Sequence, residues 1–239
     1  MTTAPGPKTA MVLAAGLGTR MRPLTDDRPK ALIRVAGRAL VDRVLDKLAA
    51  AGVERAVVNV HHFADQVEAH LRRRRDMEIL FSDERAGLLD SGGGIAHARG
   101  LLGEDPIFVA NMDSLWVDGE PPALETLKSR WRPDDMDLLL LLVARGNGLG
   151  FGGPEGFLMD EMGRLTHSTS PTVVTPFANI GFGILKPRIL DGAPEGAFSI
   201  IPTWRRLQAA GRLHGAAMDA FWMHVGDPAA RDAAERRLG

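Results

Sequence analysis

The chain has 239 residues and not one cysteine. That excludes disulfides and thiolate metal sites, and it fits a reducing compartment. No apolar run approaches about 18 residues, so nothing reads as a membrane-spanning helix. The opening segment "MTTAPGPK" lacks the apolar stretch of a secretory leader. Net charge is nearly absent: 29 Lys and Arg stand against 30 Asp and Glu, giving −1. The chain as a whole therefore carries no signature of a nucleic-acid or acidic-membrane binder. There is no internal repeat, no hexapeptide periodicity and no low-complexity tract. The expectation is a cytoplasmic protein, monomer or homodimer, with no nucleic acid or membrane as partner.

What is present is an alternation of element types. Residues 9–15 read as a buried strand. Residues 39–51 read as a helix, with Val41, Val44, Leu45 and Leu48 on one face and Gly52 as its stop. "RAVVNV" and "MEILFS" are β-branched or apolar strands on either side of the helical "FADQVEAHLRRRR". "GGIAHARGLL" is a glycine-opened helix, and "IFVANMD" a strand that ends in a carboxylate. Strand, helix, strand, helix implies parallel pairing with helices on both faces. The second half differs. "DLLLLLVA" and "FANIGFGILKP" read as strands, and "GFLMDEMGRLTH" as strand, turn, strand. "LHGAAM" is a further strand between the helices "IIPTWRRLQAAGR" and "DPAARDAAERRL", the last with Asp227 as N-cap. No linker is visible. One domain is expected: an α/β, Rossmann-like three-layer sandwich on a mixed, mostly parallel sheet. Residues 1–120 would form its first half, and 121–239 a second half that wraps a sugar-sized cleft.

The stretch "VLAAGLGTRMRPLTDDRPKALIRVAG" carries the chemistry. It is not a dinucleotide fingerprint, because Met21 stands where a third glycine would be. Nor is it a Walker loop, because no Gly-Lys-Ser/Thr follows. Gly16 and Gly18 let backbone N–H groups approach a phosphate, and Thr19 adds a hydroxyl. Arg20 offers a planar fork for phosphate oxygens, and Lys30 follows a proline that fixes the backbone. Ligands on such sheets bind beyond the C-terminal strand ends. Residues 16–30, 90–94 and 111–113 all fall there.

"LAAGLGTRMRPLTDDRPK" resembles the signature of the sugar-1-phosphate nucleotidyltransferases, and the resemblance continues through "LLDSGGGIAHA", "VANMDSLW" and "FWMHVGDPAARDAAE". It implies a GT-A-like fold and transfer of a nucleoside monophosphate from a nucleoside triphosphate to a sugar 1-phosphate. It also implies the roles. Gly16, Gly18, Thr19 and Arg20 would hold the nucleotide phosphates and Lys30 the phosphate joining the two substrates, while Ala15, Gly16, Asp90 and Gly92 would lie near the base, with Ser91 also on the nucleotide. Asn111, Glu155, Gly156 and Asn179 would face the sugar side. Arg20, Lys30 and Asp113 would be catalytic, with Asp113 binding Mg²⁺. UTP and N-acetylmuramate 1-phosphate are the leading pair implied, within cell-wall recycling. GTP with mannose 1-phosphate, or UTP or dTTP with a hexose 1-phosphate, is the second reading, and a non-catalytic nucleotide-sugar sensor is the rival class.

Two positions depart from the family pattern. His224 stands where a metal-binding aspartate is usual, with Asp227 three residues on as the alternative ligand. A nitrogen donor would suit Mn²⁺ or Co²⁺ better than Mg²⁺. Glu155-Gly156-Phe157 replaces a Gly-Asp-Phe segment on the sugar side. The remaining histidines read as cap, surface or packing residues, and Arg72–Arg75 as a solvated helix end.

Overall fold

The computed structural model describes residues 6–239; residues 1–5, most of the "MTTAPGPK" segment, lie outside the described residues. Strand β1 (Thr9–Leu13) leads into a long loop, then the short strands β2 (Arg34–Val35) and β3 (Arg38–Ala39) and helix α1 (Leu40–Ala50). The apolar face of α1 is buried through Leu40, Val41, Val44, Leu45 and Leu48, and Gly52 closes it at φ +89°. Strand β4 (Arg55–Val60), helix α2 (Ala64–Leu71) and strand β5 (Glu78–Asp83) follow. Next come helices α3 (Asp90–His97) and α4 (Arg99–Leu102), then strands β6 (Ile107–Asn111) and β7 (Ser114–Val117).

The second half begins with helix α5 (Ala123–Arg130) and strands β8 (Leu138–Ala144), β9 (Gly148–Leu149), β10 (Gly156–Met159), β11 (Leu165–Ser168) and β12 (Phe177–Leu185). It ends with helix α6 (Ile201–Ala209), strands β13 (Leu213–Ala217) and β14 (Phe221–His224), and helix α7 (Pro228–Leu238). Asp227 caps α7 as expected: its Oδ1 accepts from the Ala230 N–H at 2.8 Å.

Both halves feed one nine-stranded mixed sheet in the order β11-β10-β12-β6-β1-β4-β5, with β8 joining β12 to β13. The β6-β1-β4-β5 run is parallel throughout, whereas β12 runs antiparallel to β6, β8 and β10. Alternate residues of the central strands divide between two cores. Ala10 and Val12 of β1 pack with α1, α2 and α5, while Met11 packs with α3, α4 and α6. In β8 the same split separates Leu139, Leu141 and Val143 from Leu138, Leu140 and Leu142. Helices therefore cover both faces, which is why these strands are apolar along their whole length.

Two features differ from the sequence reading. The motif around His224 is itself a strand: β14 pairs antiparallel with β7 and parallel with β9 in a separate three-stranded sheet. Its Trp222 indole N–H donates to the buried Ser114 hydroxyl at 2.7 Å. The arginine run is not uniformly solvated either. α2 stops at Leu71, and the Arg74 side chain turns back, 9% exposed, to pair with Asp46 of α1 and Asp76. A charge run in a sequence carries no sign of which member folds back onto an acid.

Candidate active site

The parallel registers assemble the site. Leu13 lies opposite Asn111, and Val12 opposite Val58, so β1, β4 and β6 end at one edge. The loops leaving those ends surround a cleft of about 510 Å³. Ala15, Gly16, Gly18, Thr19, Arg20, Lys30, Asp90, Ser91, Asn111 and Asp113 all line it.

The glycine loop is held by few contacts. Gly18 sits at φ +65°, and its carbonyl accepts from the buried Thr25 hydroxyl at 2.9 Å. A Cβ on Gly18 would stand 3.1 Å from both Lys30 Cβ and Thr25 Cγ2. Gly16 differs: it is exposed, and a Cβ there would meet no atom of the protein within 4 Å. Nothing in the fold demands glycine at that place. Arg20 is exposed and makes no ion pair among the described residues.

Lys30 is the opposite case. It is 6% exposed, in a 3-10 turn after Pro29, and its Nζ lies 2.5 Å from Asp113 Oδ2. His224 Nε2 lies 3.3 Å from the same oxygen. Burial pushes the Asp113 carboxyl up, but His224 and Lys30 outweigh it and hold the group well below the usual carboxylate range. Asp113 is an anion whenever the protein is folded near neutral pH.

The donor set fits a divalent cation. His224 Nδ1 lies 3.1 Å from the Gly150 carbonyl oxygen, which can only accept, so Nδ1 carries the proton. Nε2 is the nitrogen left facing Asp113, and it is the one that would ligate an ion shared by the two side chains. Asp227, the alternative ligand, has Oδ1 committed to the α7 cap. Among the described residues no cluster of three or more His, Asp and Glu groups forms a closed cage. A carboxylate and an imidazole suit an ion that completes its shell with substrate phosphate oxygens.

The other sequence candidates fall into two groups. Asn179 lines an adjoining cavity of about 190 Å³ that shares Leu13, Ser91 and Asn111 with the cleft. A bulge puts it there: Asn179 Oδ1 accepts from Gly181 N at 3.0 Å, and Gly181, at φ +77°, lets the Asn111 amide pack against its Cα. Gly92, Glu155 and Gly156 do not line either cavity. The Gly92 N–H donates to the Phe198 carbonyl at 2.9 Å. The Glu155 carboxylate faces His167 Nε2 at 3.0 Å, and Gly156 is buried against Thr175, Phe177 and Arg145. Their backbone is spent on packing, which a motif match does not disclose. Conversely, Asn59 and Glu84 line the cleft without having been singled out. Each is a buried polar residue at the end of an apolar strand, and that was the available signal.

Comparison with known proteins agrees with this geometry. The profile of the MobA-like NTP transferase domain matches residues 10–151. The N-acetylmuramate alpha-1-phosphate uridylyltransferase of Caulobacter vibrioides is 51% identical over 97% of both chains. The enzyme of the same name from Neisseria meningitidis is 34% identical over 91% of this chain and 92% of its own. In fold, the inositol-1-phosphate CTP transferase of T. maritima superposes with a TM-score of 0.79 at 19% identity, covering 98% of this chain and 97% of that one. With these matches and a strand-end cleft that gathers the glycine loop, Lys30 and Asp113, the chain belongs to the MobA-like NTP transferase domain family, among its sugar-1-phosphate nucleotidyltransferases.

Proposed function

We propose that this protein transfers uridylate from UTP to N-acetylmuramate 1-phosphate, forming the UDP-sugar and releasing pyrophosphate. The observation that carries the reading is the convergence of Arg20, Lys30 and Asp113 on one cleft beside the glycine loop. The 51% identity to a uridylyltransferase over nearly the whole chain supports this choice of substrates.

The chemistry needs little else. An oxygen of the sugar phosphate attacks the α-phosphorus in line, a P–O bond forms, and the bond to the β-phosphate oxygen breaks. The nucleophile is already an anion near neutral pH, so no general base is required. The barrier lies in bringing two polyanions together, and fixed cations lower it. Arg20 can follow the triphosphate because no acid holds it. Lys30 is held by Asp113 in one place, so its charge is preorganised where the two phosphates meet. The open face at Gly16 lets the backbone reach a phosphate that any side chain would displace.

Asp113 and His224 would hold the divalent cation, which we take to be Mg²⁺; when bound, it would offset phosphate charge. Asn179 and Asn111 would present amides to the sugar in the adjoining cavity. No helix among the described residues is long and apolar enough to cross a membrane, and we place the reaction in the cytoplasm. The test is incubation with UTP, Mg²⁺ and N-acetylmuramate 1-phosphate, with the UDP-sugar identified by mass. Absence of that product at high enzyme concentration rejects the substrate assignment.

A further inference from the structure

Glu84 is a carboxylate that the chemistry above does not use. It is 2% exposed, and no lysine or arginine pairs with it among the described residues. A buried anion without a cation is tolerated only when its oxygens are fully hydrogen-bonded. Glu84 Oε1 accepts from Asn59 Nδ2 at 2.7 Å, and Oε2 accepts from the Leu89 N–H at 3.1 Å. Asn59, itself 3% exposed, accepts through Oδ1 from the N–H groups of Ala14 and Ala15 at 2.6 and 3.3 Å. The amide can point only one way, since backbone N–H groups only donate and a carboxylate only accepts.

The ends of this chain of bonds are informative. Ala14 and Ala15 open the loop that runs through Gly16 to Arg20. Leu89 precedes Asp90, which sits at φ +60° and lines the cleft with Ser91. Two loops far apart in sequence are thus joined through two buried side chains on β4 and just beyond β5. Gly94 leaves the room: a Cβ there would stand 2.8 Å from Glu84 Oε1 and 3.0 Å from Asn59 Nδ2. The third glycine of "SGGG" is therefore explained by this pair.

We propose that Asn59 and Glu84 are positioning residues that set the spacing between the phosphate loop and the base loop before the nucleotide arrives. The proposal rests on the cleft's being a nucleotide site, but not on which base or which sugar is used. Glu84→Gln leaves two donors facing one oxygen, so one bond of the chain is lost. Asn59→Asp sets a carboxylate against a carboxylate. Together, Asn59→Asp with Glu84→Gln rebuilds every bond of the chain, with only the one between the two side chains reversed in polarity. The introduced carboxylate accepts at both ends, and the introduced amide donates to it while its own oxygen takes the Leu89 N–H.

The experiment is calorimetric titration at 20 °C with whichever of the four ribonucleoside triphosphates the wild type binds best, alongside thermal melting. Each single variant should weaken binding at least about tenfold, and the double variant should return to within about threefold of wild type. Single variants that melt lower yet bind normally when folded overturn the proposal, because the pair is then only structural. A double variant no better than the singles overturns it as well. If a single variant does not fold, the double variant decides: folded with near wild-type affinity supports the proposal, unfolded or weak-binding overturns it. A wild type that binds none of the four nucleotides rejects the nucleotide-site reading itself.

Discussion

Lys30 Nζ and Asp113 Oδ2 meet at 2.5 Å in the floor of the cleft, although 83 residues separate them. The contact joins the end of the glycine loop to the end of β6, and it fixes a cation between the places proposed for the two phosphates. Lys30→Ala removes that cation. Turnover should fall at least about a hundredfold, the scale of losing one charge-stabilising donor. Triphosphate affinity should fall less, since Arg20 and the loop N–H groups remain. A variant with near wild-type turnover takes Lys30 out of the mechanism.

Gly16 and Gly18 separate a ligand's demand from the fold's. Gly16→Ala meets no protein atom, so its melting temperature should stay near wild type while the KM for nucleotide rises at least about tenfold. Gly18→Ala forces a side chain into φ +65° against Lys30 and Thr25, and should cost about 1 kcal/mol or more of stability. If Gly16→Ala binds nucleotide normally, the backbone does not approach phosphate there.

His224 and Asp227 should part company in the same way. His224→Ala removes a ligand proposed for the cation, so the metal concentration for half-maximal activity should rise at least about tenfold. His224→Asp should move preference from Mn²⁺ toward Mg²⁺. Asp227→Ala removes a helix cap, costing about 1 kcal/mol of stability and leaving the metal dependence unchanged. Metal titrations of the three variants decide it; the reverse pattern assigns the ion to Asp227.

Acid should weaken the fold in two steps. His214 is 6% exposed, its Nδ1 has no partner among the described residues, and burial pulls its proton affinity below the ordinary value of 6.5. The unfolded chain then takes up a proton that the folded chain refuses, so stability present above pH 6.5 is lost as the pH falls below it. Asp137 is held below its ordinary 3.8 by Arg212, Lys186 and Arg188, against the effect of burial. Its contribution is present above that value and is lost as the pH falls through and below it. Urea unfolding from pH 8 to 3 should show both limbs, and His214→Leu should flatten the upper one alone.

How far these features were legible depended on how local their causes are. The α1 helix, β4, β8 and the Asp227 cap follow from periodicity and one short-range bond, and each stands where the residues put it. The gathering of Gly16, Lys30, Asp90 and Asp113 was foreseen because parallel strands must end together. The β7-β14-β9 sheet was not, because four-residue strands containing Trp222 and His224 carry no alternation of their own. Asn59 and Glu84 escaped for a related reason. A polar residue at the end of an apolar strand acquires meaning only through partners that the sheet register supplies.

The most direct measurement is pyrophosphate release across a grid of nucleoside triphosphates and sugar 1-phosphates. The account predicts the highest kcat/KM for UTP with N-acetylmuramate 1-phosphate, and release that depends on Lys30 and on a divalent cation. Faster release from GTP with mannose 1-phosphate would contradict the substrate assignment. Nucleotide binding without release from any pair would contradict the enzyme reading altogether.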